Sequence, residues 1–232
     1  MYHSTELMPR STVMRGMYVP PSRFHFQMRL LNILGYKGLS IRELMPYLQG
    51  KRTDKVVGIT FDDGYLNNLK NAAPVLKKYN FTATCYIVSE FIGKTNIWDK
   101  PKGINQRPLM TVDEIKEWLS FGMDIGAHTK THLDLKSVSK KNIEREIKDC
   151  KNDLERQFNI SIEDFCYPFG KFDEYICNVV KGAGYSTATT MVRGRANKDS
   201  NYFKLPRIPI TYHTLPHLFL IKLLTKYEDR KV

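Results

Sequence analysis

Short, almost wholly apolar runs alternate along this chain with longer stretches whose apolar residues recur at helical spacing, and no other pattern restricts the choice of fold as much. "KVVGITF" (55–61), "FTATCYIV" (81–88), "MDIGAH" (123–128), "EDFCYPF" (163–169) and "YSTATTM" (185–191) read as strands. The first two are expected to be buried on both faces, because their apolar character is nearly continuous. Between the strands, Phe24, Met28, Leu31 and Leu34 form one helical stripe, and Ile143, Ile147, Cys150, Leu154 and Phe158 form another. Ser40 with Glu43 and Thr111 with Glu114 have the spacing of capping boxes at helix starts. "LPRIPIT" reads as extended and "LPHLFLIKLLTKY" as a last amphipathic helix. Strands separated by helices pair in parallel through crossovers. Six to seven such units in 232 residues predict a single α/β domain, a complete or incomplete barrel. A doubly wound open sheet is the rival, weakened because neither GxGxxG nor GxxxxGK[ST] follows the first strand.

Composition narrows the setting. No run of eighteen or more apolar residues is present, so no segment is expected to span a bilayer. "MYHSTELMPR" lacks the apolar stretch of a secretory signal. The expected location is cytoplasmic or peripheral to a membrane, and extracellular if an export segment lies outside these residues. The net charge of +12 predicts an anionic neighbour. The basic residues are dispersed, with no interleaved aromatic-basic signature, so nucleic acid is not expected as the partner. The last helix and its basic flank are compatible with an anionic membrane surface. Cys85, Cys150, Cys166 and Cys177 form no CxxC pair and read as reduced core thiols.

Polar groups that a core would reject cluster at strand ends, where α/β barrels carry their chemistry. Asp62 and Asp63 follow the first strand, and His128 and His132 follow the third. Two neutral imidazoles and one carboxylate suit Zn2+ or another divalent ion with a position left for water. One aspartate on the ion and the other acting as a base toward that water would explain why two adjacent carboxylates are tolerated. Gly64 allows close approach of the backbone. Read singly, the aspartates are a capping turn and the histidines are surface residues. Their joint occurrence at matching strand ends favours the metal reading.

"TFDDGY", "HTKTH" and "YPFG" resemble the successive motifs of the polysaccharide deacetylase family, the NodB-homology carbohydrate esterases, and the likeness runs from "MYH" through "LPRI". The resemblance implies a distorted (β/α)7 barrel over 1–232 and metal-dependent hydrolysis of an N-acetyl group on an N-acetylglucosamine-type oligo- or polysaccharide. It implies Asp63, His128 and His132 as ligands of Zn2+, with Co2+, Ni2+ or Mn2+ as alternatives. It also implies Asp62 as base and the Tyr65 N–H as an oxyanion donor. The chain departs from the family pattern at Cys166, where the third motif usually carries arginine; Arg207 in "LPRI" is the candidate replacement. The fourth motif is not visible, and His213 is the candidate for the last. "MYH" resembles the start of the deacetylases of poly-N-acetylglucosamine, which makes His3 the first candidate for the general acid and His213 the second. Trp98, Tyr167 and Phe169 are candidate walls for a sugar ring, with Pro168 and Gly170 shaping their loop. The alternatives are deacetylation or deformylation of a lipid-linked sugar, and a catalytically silent glycan-binding domain. A phosphatase with an aspartyl nucleophile is disfavoured, because its aspartates alternate and these are adjacent.

Overall fold

The computed structural model describes residues 1–10 and 12–231, with side chains through 229. Two strands stand apart from the rest: β1 (Lys37–Leu39) and β2 (Val56–Gly58) form a parallel pair. The main sheet is parallel and strictly sequential, running β3 (Thr60–Phe61), β4 (Thr84–Ile87), β5 (Asp124–Ala127), β6 (Asp164–Cys166), β7 (Thr187–Arg193) and β8 (Leu205–Arg207). The helices are α1 (Pro21–Ile33), α2 (Ile41–Leu48), α3 (Leu66–Asn71), α4 (Ala73–Lys78), α5 (Val112–Ser120), α6 (Lys140–Phe158), α7 (Glu174–Gly182) and α8 (Pro216–Leu224). Among the described residues, no helix is long and apolar enough to cross a membrane.

The ring is closed by the first two residues. Tyr2 N–H donates to Thr60 O at 2.8 Å and Asp62 N–H donates to Tyr2 O at 3.0 Å. On the other side Met1 N donates to Ile208 O and Ile210 N–H donates to Met1 O, each at 3.0 Å. Residues 1–2 are therefore a seventh parallel stave between β3 and the continuation of β8, and the sheet curls into a distorted seven-stave α/β barrel. The Tyr2 ring anchors that stave. It stacks on Phe61 at 5.5 Å, meets Phe24 edge-on at 5.1 Å, and its hydroxyl donates to Gln27 Oε1.

Two local expectations are corrected. "KVVGITF" is not one buried strand. It splits at Gly58 into β2 and β3, with Val56 and Val57 half-buried and Gly58 exposed. Ile59 is the hand-over point, donating to Leu39 O of one sheet and accepting from Thr84 N of the other. The capping box at Ser40 is only half formed. Ser40 accepts from Glu43 N–H, but the Glu43 carboxylate accepts from Thr82 instead of the Ser40 N–H. The Thr111–Glu114 box is complete. The four cysteines are buried and free.

Candidate functional site

Every predicted ligand lies just beyond the carboxyl end of a parallel strand, so the barrel collects them on one rim. The turn after β3 takes Asp63 into the left-handed region at φ 74°, followed by Gly64 at φ 75°. The turn after β5 does the same at Thr129 (φ 64°) and His132 (φ 60°), and the turn after β6 at Phe169 (φ 58°). The remaining non-glycine residues with positive φ among those described are Asn80 and Asn159, both just past helix ends. Left-handed backbone at threonine, histidine and phenylalanine is costly and persists where surrounding structure imposes it.

Helix α6 imposes it on the histidine turn. Glu146, buried on the helix's inner side, accepts from Thr131 N–H at 2.8 Å and Thr131 Oγ1 at 2.7 Å, while its own carbonyl accepts from Lys130 N–H. Thr129 Oγ1 accepts from His132 N–H at 3.0 Å. With the turn fixed, His128 Nε2 lies 3.5 Å and His132 Nε2 3.3 Å from Asp63 Oδ1, all three side chains being buried. His128 Nδ1–H donates to Cys166 O at 2.8 Å. That bond fixes the tautomer and leaves the Nε2 lone pair aimed at Asp63, the arrangement of a ligating histidine. A carboxylate oxygen and two imidazole nitrogens within 4.8 Å of one another are a donor set that fits a divalent ion. Burial alone would raise the Asp63 carboxyl, but the two histidines outweigh it and hold it well below the usual range. Burial pushes His132 down, whereas contacts with Cys166 and Asp63 outweigh burial at His128 and push it up.

Asp62 stands beside this group on a different footing. Arg207 grips it with both prongs, Nη1 to Oδ1 at 2.6 Å and Nη2 to Oδ2 at 2.8 Å. The guanidinium is itself pinned, donating to Thr190 O at 2.8 Å, Thr60 Oγ1 at 3.1 Å and Cys166 Sγ at 3.2 Å. Burial works to raise the Asp62 carboxyl, but Arg207 and then His3 outweigh it, so that it sits at about 2. His3 follows the seventh stave and places Nε2 3.9 Å from Asp62 Oδ2.

The sequence profile of the family described as polysaccharide deacetylase matches residues 49–188, spanning the two aspartates, both histidines and "YPF". The chain belongs to the polysaccharide deacetylase family. It is 30% identical over 195 residues to YxkH of Bacillus subtilis, covering 83% of this chain and 66% of that protein. It is 28% identical over 212 residues to a poly-β-1,6-N-acetyl-D-glucosamine N-deacetylase of Staphylococcus aureus, covering 86% of this chain and 70% of that one. The chain thus spans about two thirds of the length of these curated relatives. Among solved structures, the Streptococcus pyogenes deacetylase PplD, in complex with acetate, superposes with a TM-score of 0.81 at 26% identity, covering 96% of this chain and 95% of that one.

Around Asp62, Asp63, His128 and His132 lies a cleft of about 550 Å³. Trp98 stacks on His132 with ring centroids 4.6 Å apart, and Phe169 meets the same ring edge-on at 4.7 Å. Both line the cleft, as does His213, exposed at its rim. Tyr167 borders the cleft but does not offer its ring as a wall, which corrects the expectation. The ring stacks on Phe172 at 5.0 Å and its hydroxyl donates to Phe203 O at 2.9 Å, so apolar packing and a backbone acceptor draw it into the core. Pro168 is buried beneath the same turn. Gly170, at φ 65°, lies where a Cβ would stand 2.8 Å from Met191 N, so only glycine lets that turn close. The Tyr65 side chain is fully buried, with the Arg107 guanidinium 4.1 Å from its ring. No acceptor among the described residues takes the Tyr65 N–H.

Four contributors escaped the sequence reading. Glu146 carried a signal, being an acid on the apolar side of α6 between Ile143 and Ile147. Thr60 and Thr190, which pin Arg207, carried none. Asp99, buried in the cleft and paired with Lys102 at 3.2 Å, lies in "NIWD" next to Trp98 and was visible only as an unexplained acid.

Proposed function

We propose that the chain is a metal-dependent hydrolase that removes N-acetyl groups from an N-acetylglucosamine-type oligo- or polysaccharide. The observation that carries this reading is the convergence of Asp63, His128 and His132 beside an Asp62 held ionised by a bidentate arginine. A divalent ion held by Asp63, His128 and His132, Zn2+ in the first place, would supply a Lewis acid that makes water nucleophilic at neutral pH and polarises the acetyl carbonyl.

The chain's own residues do the rest. Asp62, fixed in its charged state, accepts the proton that the attacking water gives up. The Tyr65 N–H, which no acceptor among the described residues takes, is the donor assigned to the oxyanion that develops as the amide carbon becomes tetrahedral. His3, beside Asp62 and only partly exposed, gives a proton to the departing amine nitrogen. Trp98 and Phe169 hold His132 between them and present apolar surface to the sugar. Arg207 acts on Asp62 and does not reach substrate, because the Asp62–Arg207 pair is buried and all its donors are engaged.

The test is acetate release from N-acetylglucosamine oligomers, with and without dipicolinate, alongside Asp62→Asn. Wild type is expected to release acetate and to stop on chelation. Asp62→Asn is expected to lose about 10²- to 10⁴-fold in kcat while retaining metal by elemental analysis. Acetate release indifferent to chelation would overturn the mechanism.

A further inference from the structure

A second cavity lies between the small β1–β2 sheet and the β7–β8 side of the barrel. It measures about 470 Å³, within the roughly 300–1,000 Å³ range of small-molecule sites. Its walls come from Met28, Leu31, Leu44, Val57, Leu205 and Phe219, with Leu44 and Val57 only half-buried. This is where β2 departs from the expected buried strand: Val57 packs against the core yet also borders the cavity, as Val56 and Gly58 do. An apolar wall left unfilled forfeits dispersion contacts and stays in contact with water, so a fitting apolar ligand is favoured there.

The charges around this space do not cancel. Among its lining residues Arg52, Arg195, Arg207 and Lys222 are cationic, and Asp54 is the sole anion. Asp54 is already paired with Lys37 at 3.1 Å, Arg195 with Asp229, and Arg207 with Asp62. Glu228 must serve two cations at once: it binds Arg193 at 2.6 and 2.9 Å and also accepts from Lys222. Arg52 has no carboxylate within 4 Å among the described residues. The local sum leaves about two positive charges over an apolar chamber.

We infer that this cavity binds a free single-chain anionic amphiphile, its aliphatic chain against Val57, Leu44 and Phe219 and its head group toward Arg52 and Lys222. The volume is that of a site for a single small molecule, which separates such a ligand from a bilayer surface. Thr60 and Arg207 line the cavity from the side of the catalytic rim, so the bound chain ends next to the residues that hold Asp62. The inference stands on this cavity and does not rest on the proposed reaction.

Isothermal titration of the whole chain with monomeric dodecanoate below its micellar concentration tests it. Dodecyltrimethylammonium serves as the charge-reversed probe, and phosphatidylglycerol vesicles as the bilayer probe. Two variants lie outside the catalytic groups: Val57→Trp, which fills the chamber, and Arg52→Glu, which inverts its mouth. The expected result is one saturable dodecanoate site in wild type, weakened at least tenfold in Val57→Trp and several-fold in Arg52→Glu. The cationic probe should bind at least tenfold more weakly. Circular dichroism and urea midpoints establish that each variant is folded, and Leu44→Phe replaces Val57→Trp if the latter is not. Absent or non-saturable binding would overturn the inference. So would equal affinity in the cavity-filling variant, no preference for the anion, or binding to vesicles but not to the monomer.

Discussion

Arg207 approaches Asp62 from β8, whereas the family's usual arginine would come from β6, where this chain has Cys166. The exchange works because the two strands flank β7 on the same rim, and because a thiol leaves room for the guanidinium, which donates to it at 3.2 Å. The buried pair is stabilising only while both members are present: removing one from such a pair costs about 3–5 kcal/mol. The depressed Asp62 carboxyl contributes stability that is present above its ordinary value of 3.8 and is lost as pH falls toward about 2. Arg207→Lys keeps a charge but not the two-pronged grip. We expect it to lower kcat about 10²-fold with KM changed less than about threefold, since a mispositioned base is felt in the transition state. We also expect the acid limb of kcat/KM to move to higher pH, because the carboxyl is held down less firmly. Steady-state acetate release across pH reads both. An unchanged acid limb would remove Arg207 from the base's control.

At the scale of elements, strand β6 carries a second buried acid at its opposite end. Asp164 accepts from Thr187 Oγ1, and burial, with Asp124 nearby, pushes its carboxyl up to about 6. The folded state therefore favours the proton. This stability is fully present below pH 3.8 and is lost as pH rises through about 6, a change of roughly 3 kcal/mol for a shift of this size. Asp164→Asn should flatten that limb, so that its stability relative to wild type improves by about 2 kcal/mol between pH 4.5 and 7.5. Urea midpoints at the two pH values measure it, and parallel pH profiles would refute it. The elements themselves were largely legible, because strands such as β4 are apolar on both sides and helices such as α6 keep one stripe. The split of "KVVGITF" was not, since Val56 and Val57 look like core residues and only the third dimension shows the space beside them. The convergence of Asp63, His128 and His132 was legible because sparse residue types recur at fixed offsets. The supports of Arg207 were not, because Thr60 and Thr190 are unremarkable threonines until β3 and β7 bring them to one guanidinium. Tyr167 was misjudged for a related reason: a tyrosine at a rim reads as a wall until Phe203 O is seen to take its hydroxyl.

The molecule as a whole depends on a stave that the helix–strand alternation does not announce. Residues 1–2 show no periodicity, yet they carry the hydrogen bonds that close the barrel and place His3 at the site. Fold and the proposed chemistry are thereby coupled through neighbouring side chains that point opposite ways, Tyr2 into the core and His3 into the cleft, as alternation along a strand requires. The two contributions separate by mutation. Tyr2→Ala empties a site packed against Phe61 and Phe24 and should cost about 3–5 kcal/mol, loosening His3 along with the stave. Tyr2→Phe loses only the bond to Gln27, worth about 1 kcal/mol, and should keep its activity. His3→Ala should leave stability within about 0.5 kcal/mol, as expected for a side chain outside the core, yet lower kcat by about 10²-fold or more through loss of the proton donor. Urea unfolding and acetate release on the three variants test the separation. If His3→Ala turned over substrate at the wild-type rate, the proton would have to come from another group on the rim, with His213 next to be substituted.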